Sequence, residues 1–257
     1  MWRRDGWGAV TRIGVLIPHA DVGPESELQA IAPPSVVIHA ARAPFGAMGA
    51  GGAMDPTIPL APVLAFAEPP GIDEAVALLA AAPVQAIGYA FTSSAYLIGA
   101  AGEAAMLARL RERAGGIPLT AACAAAVEAL RALEVSRLAL VHPPWFDPEL
   151  AARGAEYFGA QGFDVVLSEP AGLPSDQHRI EPAALHDWLC AHVPSRADGV
   201  FIGGNGFRAV GVIEAVEAAL RRPLVTANQG LLWHLLRFAG AHERVSGYGR
   251  LFAKDGP

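Results

Sequence analysis

The sequence predicts an α/β fold of two similar lobes, each a short parallel sheet flanked by helices, related by a pseudo-twofold with a cleft between them. Three observations carry this. Short runs that are apolar on both faces alternate with helical patterns along the chain, the signature of buried parallel strands joined by right-handed crossovers. The segment 12–18 (RIGVLIP) recurs as 137–143 (RLALVHP), so the chain is built as two halves. Each half also contains a strand that stops at small polar residues before a helix resumes. These are 84–99 (VQAIGYAFTSSAYLIG) and 197–212 (ADGVFIGGNGFRAVGV).

In chain order, strands are expected at 13–17, 35–39, 86–90, 138–142, 163–167 and 199–202, because each is short and apolar on both faces. Helical periodicity marks 72–81, 104–114, 124–133, 148–161, 182–193 and 209–221. The segment 222–233 (RPLVTANQGLLW) is one more strand, turn and helix. It is expected to return the chain to the first lobe, with the last helix (231–240) packed there. The first lobe then comprises 1–118 plus 226–257, and the second 119–225. The stretch 44–60 (PFGAMGAGGAMDPTIPL) is aperiodic and reads as a mobile loop, either a lid over the cleft or a surface excursion. Residues 1–12 (MWRRDGWGAVTR) lack an apolar region after their arginines and read as a frayed leader, not a signal peptide.

The bulk numbers set limits. The 257 residues suffice for one large α/β domain or two smaller ones. Hydrophobic residues make up 53% and charged residues 17%, with much alanine, which suits closely packed helices. A net charge of −6 argues against nucleic acid, which needs a basic footprint. No apolar stretch approaches the ~20 residues of a membrane span. Cys123 and Cys190 are the only cysteines, which points to a reducing, cytoplasmic setting without disulfides. No metal site is expected, because His178, His186 and His192 do not share a helical face. No glycine-rich dinucleotide fingerprint follows the first strand, so NAD is not expected.

In doubly wound sheets ligands bind beyond the carboxyl ends of the strands, so both special turns should face one cleft. Thr92, Ser93 and Ser94 end a strand and open a helix, offering free N–H groups and hydroxyls to an anion; the plainer alternative is helix capping. Gly203, Gly204 and Gly206 around Asn205 let backbone approach a ligand, or simply make a tight turn. Asn228 and Gln229 stand at the last strand end as amide donors or as turn supports. For proton transfer the candidates are Asp21, His142 and His19, each at a strand end, against capping or solvent roles. Cys123 begins a helix, which lowers a thiol pKa, although a small packing residue is the alternative. Cys190 falls mid-helix and reads as structural.

The segments 13–27 (IGVLIPHADVGPESE), 90–94 (AFTSS), 138–150 (LALVHPPWFDPEL), 198–210 (DGVFIGGNGFRAV) and 223–237 (PLVTANQGLLWHLLR) together resemble the aspartate/glutamate racemase superfamily, in its maleate isomerase and arylmalonate decarboxylase branch. The resemblance implies two Rossmann-like lobes, small carboxylate substrates, no cofactor, and cysteine acid/base or nucleophile chemistry. It places the two cysteine positions at Phe91 and Gly204, the family's loop asparagine at Asp21 and its tyrosine at Trp145. Neither cysteine is present here.

Two functions are therefore expected. One is a cofactor-independent isomerase, racemase or decarboxylase acting on a small carboxylate through an enediolate held between the turns. The other is an accessory protein that binds such a carboxylate without transforming it. A small anionic carboxylate and a second copy of the chain are the partners admitted; nucleic acid and membrane are not.

Overall fold

The computed structural model of the chain describes residues 7–8, 11–241 and 243–253. Most of the expected leader lies outside them. The elements run β1 (Thr11–Pro18), α1 (Gly23–Ile31), β2 (Val36–Ala43), α2 (Leu60–Ala65), α3 (Gly71–Ala80), β3 (Ala86–Tyr89), α4 (Thr92–Arg113), β4 (Leu119–Ala121) and α5 (Ala122–Ala132) in the first half. The second half holds β5 (Arg137–His142), α6 (Pro148–Ala160), β6 (Asp164–Pro170), α7 (Pro182–His192), β7 (Gly199–Ile202), α8 (Ile213–Leu220), β8 (Leu224–Thr226), α9 (Ala227–Phe238) and α10 (Arg250–Ala253).

The strands form two four-stranded sheets with matching orders, β2-β1-β3-β4 and β6-β5-β7-β8. Every pairing is parallel. The repeat seen in the sequence is thus the pair of first strands, β1 and β5. Each occupies the second position of its sheet and feeds the same crossovers. Central strands are buried on both faces, Leu16, Ile17, Leu140 and Val141 among them, whereas the edge strands β2 and β6 are partly exposed. Among the described residues no helix is long and apolar enough to cross a membrane.

Three details differ from the sequence expectation. Leu119–Ala121, expected in the second lobe, pairs with β3 and closes the first sheet. It passes into α5 without a break, so three strand residues look like the start of a helix. The helix opened at Thr92 runs on through the 104–114 stretch as one element, bent at Gly99, whose φ of 68° and ψ of 176° are not helical. The stretch 209–221 is a 3-10 turn, Val210–Val212, followed by α8.

Helix starts are built as local chemistry dictates. Asp147 caps α6 by accepting from Leu150 N at 2.7 Å. Thr226 and Gln229 form a reciprocal capping box at α9. The last long helix, α9, packs on α5 and reaches β3 and β4 of the first sheet.

Candidate active site

The two special turns meet. β3 ends at Tyr89, and Phe91 in extended backbone leads into α4 at Thr92. β7 ends at Ile202 and runs into the glycine turn. The backbone N–H of Gly204 donates to Thr92 Oγ1 at 2.9 Å, joining the halves across 112 residues of chain. Gly204 holds a φ of +86°, and a Cβ there would fall 2.2 Å from Pro143 Cγ, so glycine is required on both counts.

A small cleft opens beside this bond. Its walls are Pro18, Asp21, Phe91, Thr92, Ser93, Trp145, Phe146, Gln177, Gly204, Asn205 and Gly206. Phe45, Met48, Met54 and Ile58, from the 44–60 stretch, lie against it. The space open to a water centre is about 20 Å³, room for about one water. The 44–60 stretch is therefore placed against the cleft and is not a remote excursion. Few bonds tie it down. Phe45 N donates to His19 Nδ1 at 3.1 Å, Ile58 N to the Trp145 carbonyl at 3.0 Å, and Ser175 Oγ to the Pro56 carbonyl at 2.5 Å. His19 is an anchor for this segment.

Asp21 is the only acid or base among the cleft-lining residues. Its Oδ1 accepts from Gly23 N at 2.9 Å. Its Oδ2 lies where a Gly206 side chain would begin, 2.8 Å from a Cβ built there, so only glycine lets the carboxyl in. Burial pushes its pKa up from 3.8 to about 6, against the Gly23 bond and the nearby Arg42 and His178 charges, which pull it down. Arg42 braces the loop by donating to the carbonyls of His19 and Asp21, both at 3.0 Å, and pairs with Glu25.

Cys123 and His142, two of the other proton-transfer candidates, lie elsewhere. Cys123 is fully buried behind the first turn, with its thiol directed at the Thr92 carbonyl, 3.5 Å away. Burial, with Glu103 nearby, raises its pKa well above 9.0, the opposite of the expected helix effect. His142 is fully buried, stacked on Phe146 and bonded through Nε2 to Ser168 Oγ at 2.9 Å. Ser168 donates onward to the Ala151 carbonyl, so Nε2 of His142 carries the proton. Burial lowers the His142 pKa to about 3. Both are packing residues that do not line the cleft. The strand pattern gave their positions, but burial decides their chemistry.

Ser94 also turns away from the cleft, accepting from Tyr89 and donating to the Val63 carbonyl at 2.9 Å. Gln229 is consumed by its capping box and by the Tyr248 carbonyl. Asn228 stands one layer back, holding Asn205. Its Nδ2 donates to the Asn205 carbonyl at 2.8 Å and to Glu27 Oε2 at 2.7 Å, and its Oδ1 accepts from Asn205 Nδ2 at 2.7 Å. Glu27 is a residue the sequence did not single out. It is buried, and its Oε1 also accepts from Ala209 N and Val210 N at 2.6 and 3.0 Å, pinning the chain after the second turn. Phe91 packs edge-on to Phe45 at 4.9 Å and beside Phe66 at 4.6 Å. Trp145 meets Phe207 edge-on at 6.0 Å. At the first turn, the leading N–H groups of α4 have no partner within the helix. With the Ser93 and Thr92 hydroxyls they form a donor set for an anion.

Comparison with known proteins agrees with this architecture. The maleate isomerase of Pseudomonas putida superimposes with a TM-score of 0.81 at 20% identity, covering 96% of this chain and 99% of that one. Unliganded arylmalonate decarboxylase gives 0.75 at 23% identity, covering 95% and 100%. A Nocardia farcinica maleate cis-trans isomerase bearing a covalently bound succinylcysteine intermediate gives 0.81 at 23% identity, covering 96% and 99%. In sequence, the arylmalonate decarboxylase of Bordetella bronchiseptica is 31% identical over 167 residues, 63% of this chain and 68% of that one. The arylmalonate decarboxylase family model matches residues 70–252, which takes in both special turns and leaves Asp21 and the 44–60 stretch outside. The chain belongs to the arylmalonate decarboxylase family.

Proposed function

We propose that the protein is a cofactor-independent decarboxylase or isomerase of a small dicarboxylate in which Asp21 does the work of a thiol. One substrate carboxylate takes the donors of the Thr92–Ser93 turn. Loss of carbon dioxide breaks the bond between the second carboxyl carbon and the α-carbon and leaves its electron pair there as an enediolate. Preorganised donors stabilise that charge by ~3–4 kcal/mol each. The neutral Asp21 carboxyl then delivers its proton to the α-carbon and is reprotonated by solvent.

The observation that carries this reading is that Asp21 alone among the lining residues can exchange a proton, with a pKa near neutrality. Both cysteines are unsuited. Cys123 is sealed behind the turn, and Cys190 lies on α7 beside His186. The resemblance puts Phe91 and Gly204 at the family's cysteine positions, and neither carries sulfur.

The test is a panel of malonates, maleate and amino acids followed by NMR in deuterated buffer. Turnover or α-deuteration that is lost in Asp21→Asn and kept in Cys123→Ala is expected. Turnover that persists in Asp21→Asn overturns the role of Asp21. Binding without any turnover supports the accessory-protein alternative.

A further inference from the structure

The amide of Asn205 has its direction imposed from behind. Asn228 Nδ2 faces two acceptors, the Asn205 carbonyl at 2.8 Å and Glu27 Oε2 at 2.7 Å. The carbonyl can only accept, so the Asn228 amide has one orientation and its Oδ1 must receive a donor. Asn205 supplies it through Nδ2 at 2.7 Å. Asn205 Oδ1 is therefore the free end of the relay. It is an acceptor on a residue only 3% exposed, in the cleft wall, with no hydrogen-bond partner among the described residues. A buried acceptor left unpaired is destabilising, and a carboxylate, being an acceptor itself, cannot relieve it.

We propose that Asn205 Oδ1, oriented by Asn228 and Glu27, selects carboxylates that carry a hydrogen-bond donor on the α-carbon, a hydroxyl or an ammonium. Thr92 and Ser93 hold the carboxylate, and Asn205 receives the O–H or N–H of the α-substituent. Glu27 and Asn228 are positioning residues, since they act through Asn205. The inference rests on the carboxylate reading above and narrows its substrate class.

Titration calorimetry with malonate, hydroxymalonate and fluoromalonate tests it. Hydroxyl and fluorine are similar in size, but only the hydroxyl donates. Hydroxymalonate is expected to bind about 10-fold more tightly than fluoromalonate. In Asn205→Ala that ratio falls to about 1 while malonate still binds. In Glu27→Gln the ratio falls only part of the way, because the amide oxygen goes to Ala209 N and Val210 N and Asn228 Nδ2 loses one of the two acceptors that hold it. Equal binding of the two analogues to the unaltered protein, or an unchanged ratio in Asn205→Ala, overturns the inference and leaves the carboxylate reading standing. Failure of all three probes to bind overturns both.

Discussion

Gly204 and Thr92 are bonded to each other across the cleft, N–H to Oγ1 at 2.9 Å, so the two turns that should cradle a ligand also hold the halves together. The Gly204 N–H is not free to meet a ligand while this bond lasts. Thr92→Val keeps the shape and removes the acceptor, stranding a donor that costs about 1–3 kcal/mol. The expected outcome is a lower urea midpoint and weaker malonate binding, with Thr92→Ser close to the unaltered protein. Equal stability of the valine and serine variants would show that the bond does not matter.

Asp21 makes stability and activity depend on pH in a set direction. Its folded pKa of about 6 lies above its ordinary 3.8, so between these values the folded chain holds a proton the unfolded chain has released. Its contribution therefore falls as pH rises through that window. Asp21→Asn should match the unaltered protein near pH 4 and exceed it at pH 7.5 by up to about 3 kcal/mol. Its kcat should fall by about 100-fold or more. In the unaltered protein kcat/KM should decline above pH 6, as the proton donor is lost. Urea titrations at the two pH values and a pH–rate profile measure these effects.

His142 should act with the opposite sign. Its folded pKa of about 3 lies below its ordinary 6.5, so its stabilising contribution is complete above 6.5 and is lost as pH falls. By pH 4 the loss amounts to about 3 kcal/mol. His142→Gln retains a donor for Ser168 and removes the titration. Its stability should therefore fall less steeply on acidification, with kcat unchanged. A kcat that collapses in this variant would return His142 to the mechanism.

Gly204→Cys puts sulfur at a position the resemblance assigns to cysteine, and the backbone should reject it. The φ of +86° and the contact with Pro143 both oppose a side chain. A destabilisation of about 2 kcal/mol or more is expected, read as a Tm about 4–8 °C lower, without new thiol-dependent turnover. A well-folded variant with activity sensitive to alkylation would refute this.

The sheets were legible because buried parallel strands need continuous apolar runs, and the β1 and β5 repeats announce two equivalent halves. β4 and β8 were harder, since each is three residues long and passes straight into a helix. At the cleft, Thr92, Ser93, Asn205 and Gly206 were readable from strand-end position alone. Glu27 was not. On its helix it looks like a surface charge, and its partners Ala209 and Val210 lie 182 and 183 residues away. Gln177 and Met54 were missed for the same reason, because loops converge through folding and not through any local pattern. Cys123 and His142 show the converse. The sequence located them on the right elements, but whether a thiol or imidazole can titrate depends on which way the side chain points and what surrounds it.

The Phe45–Phe91 contact also governs how ligands reach the cleft. The cleft as it stands has room for about one water centre, so the proposed dicarboxylate would need part of the wall to swing aside. Moving the 44–60 stretch parts Phe45 from Phe91 and Phe66, at a cost of about 2 kcal/mol for the two aromatic contacts. Those two contacts alone would hold all but roughly one molecule in thirty closed, and a dissociation constant read on such a mixture is weaker than that of the open form by the same factor. Phe91 thus sets a threshold that any ligand must overcome by its own contacts, and shrinking its ring would tighten binding without adding one interaction to the bound complex.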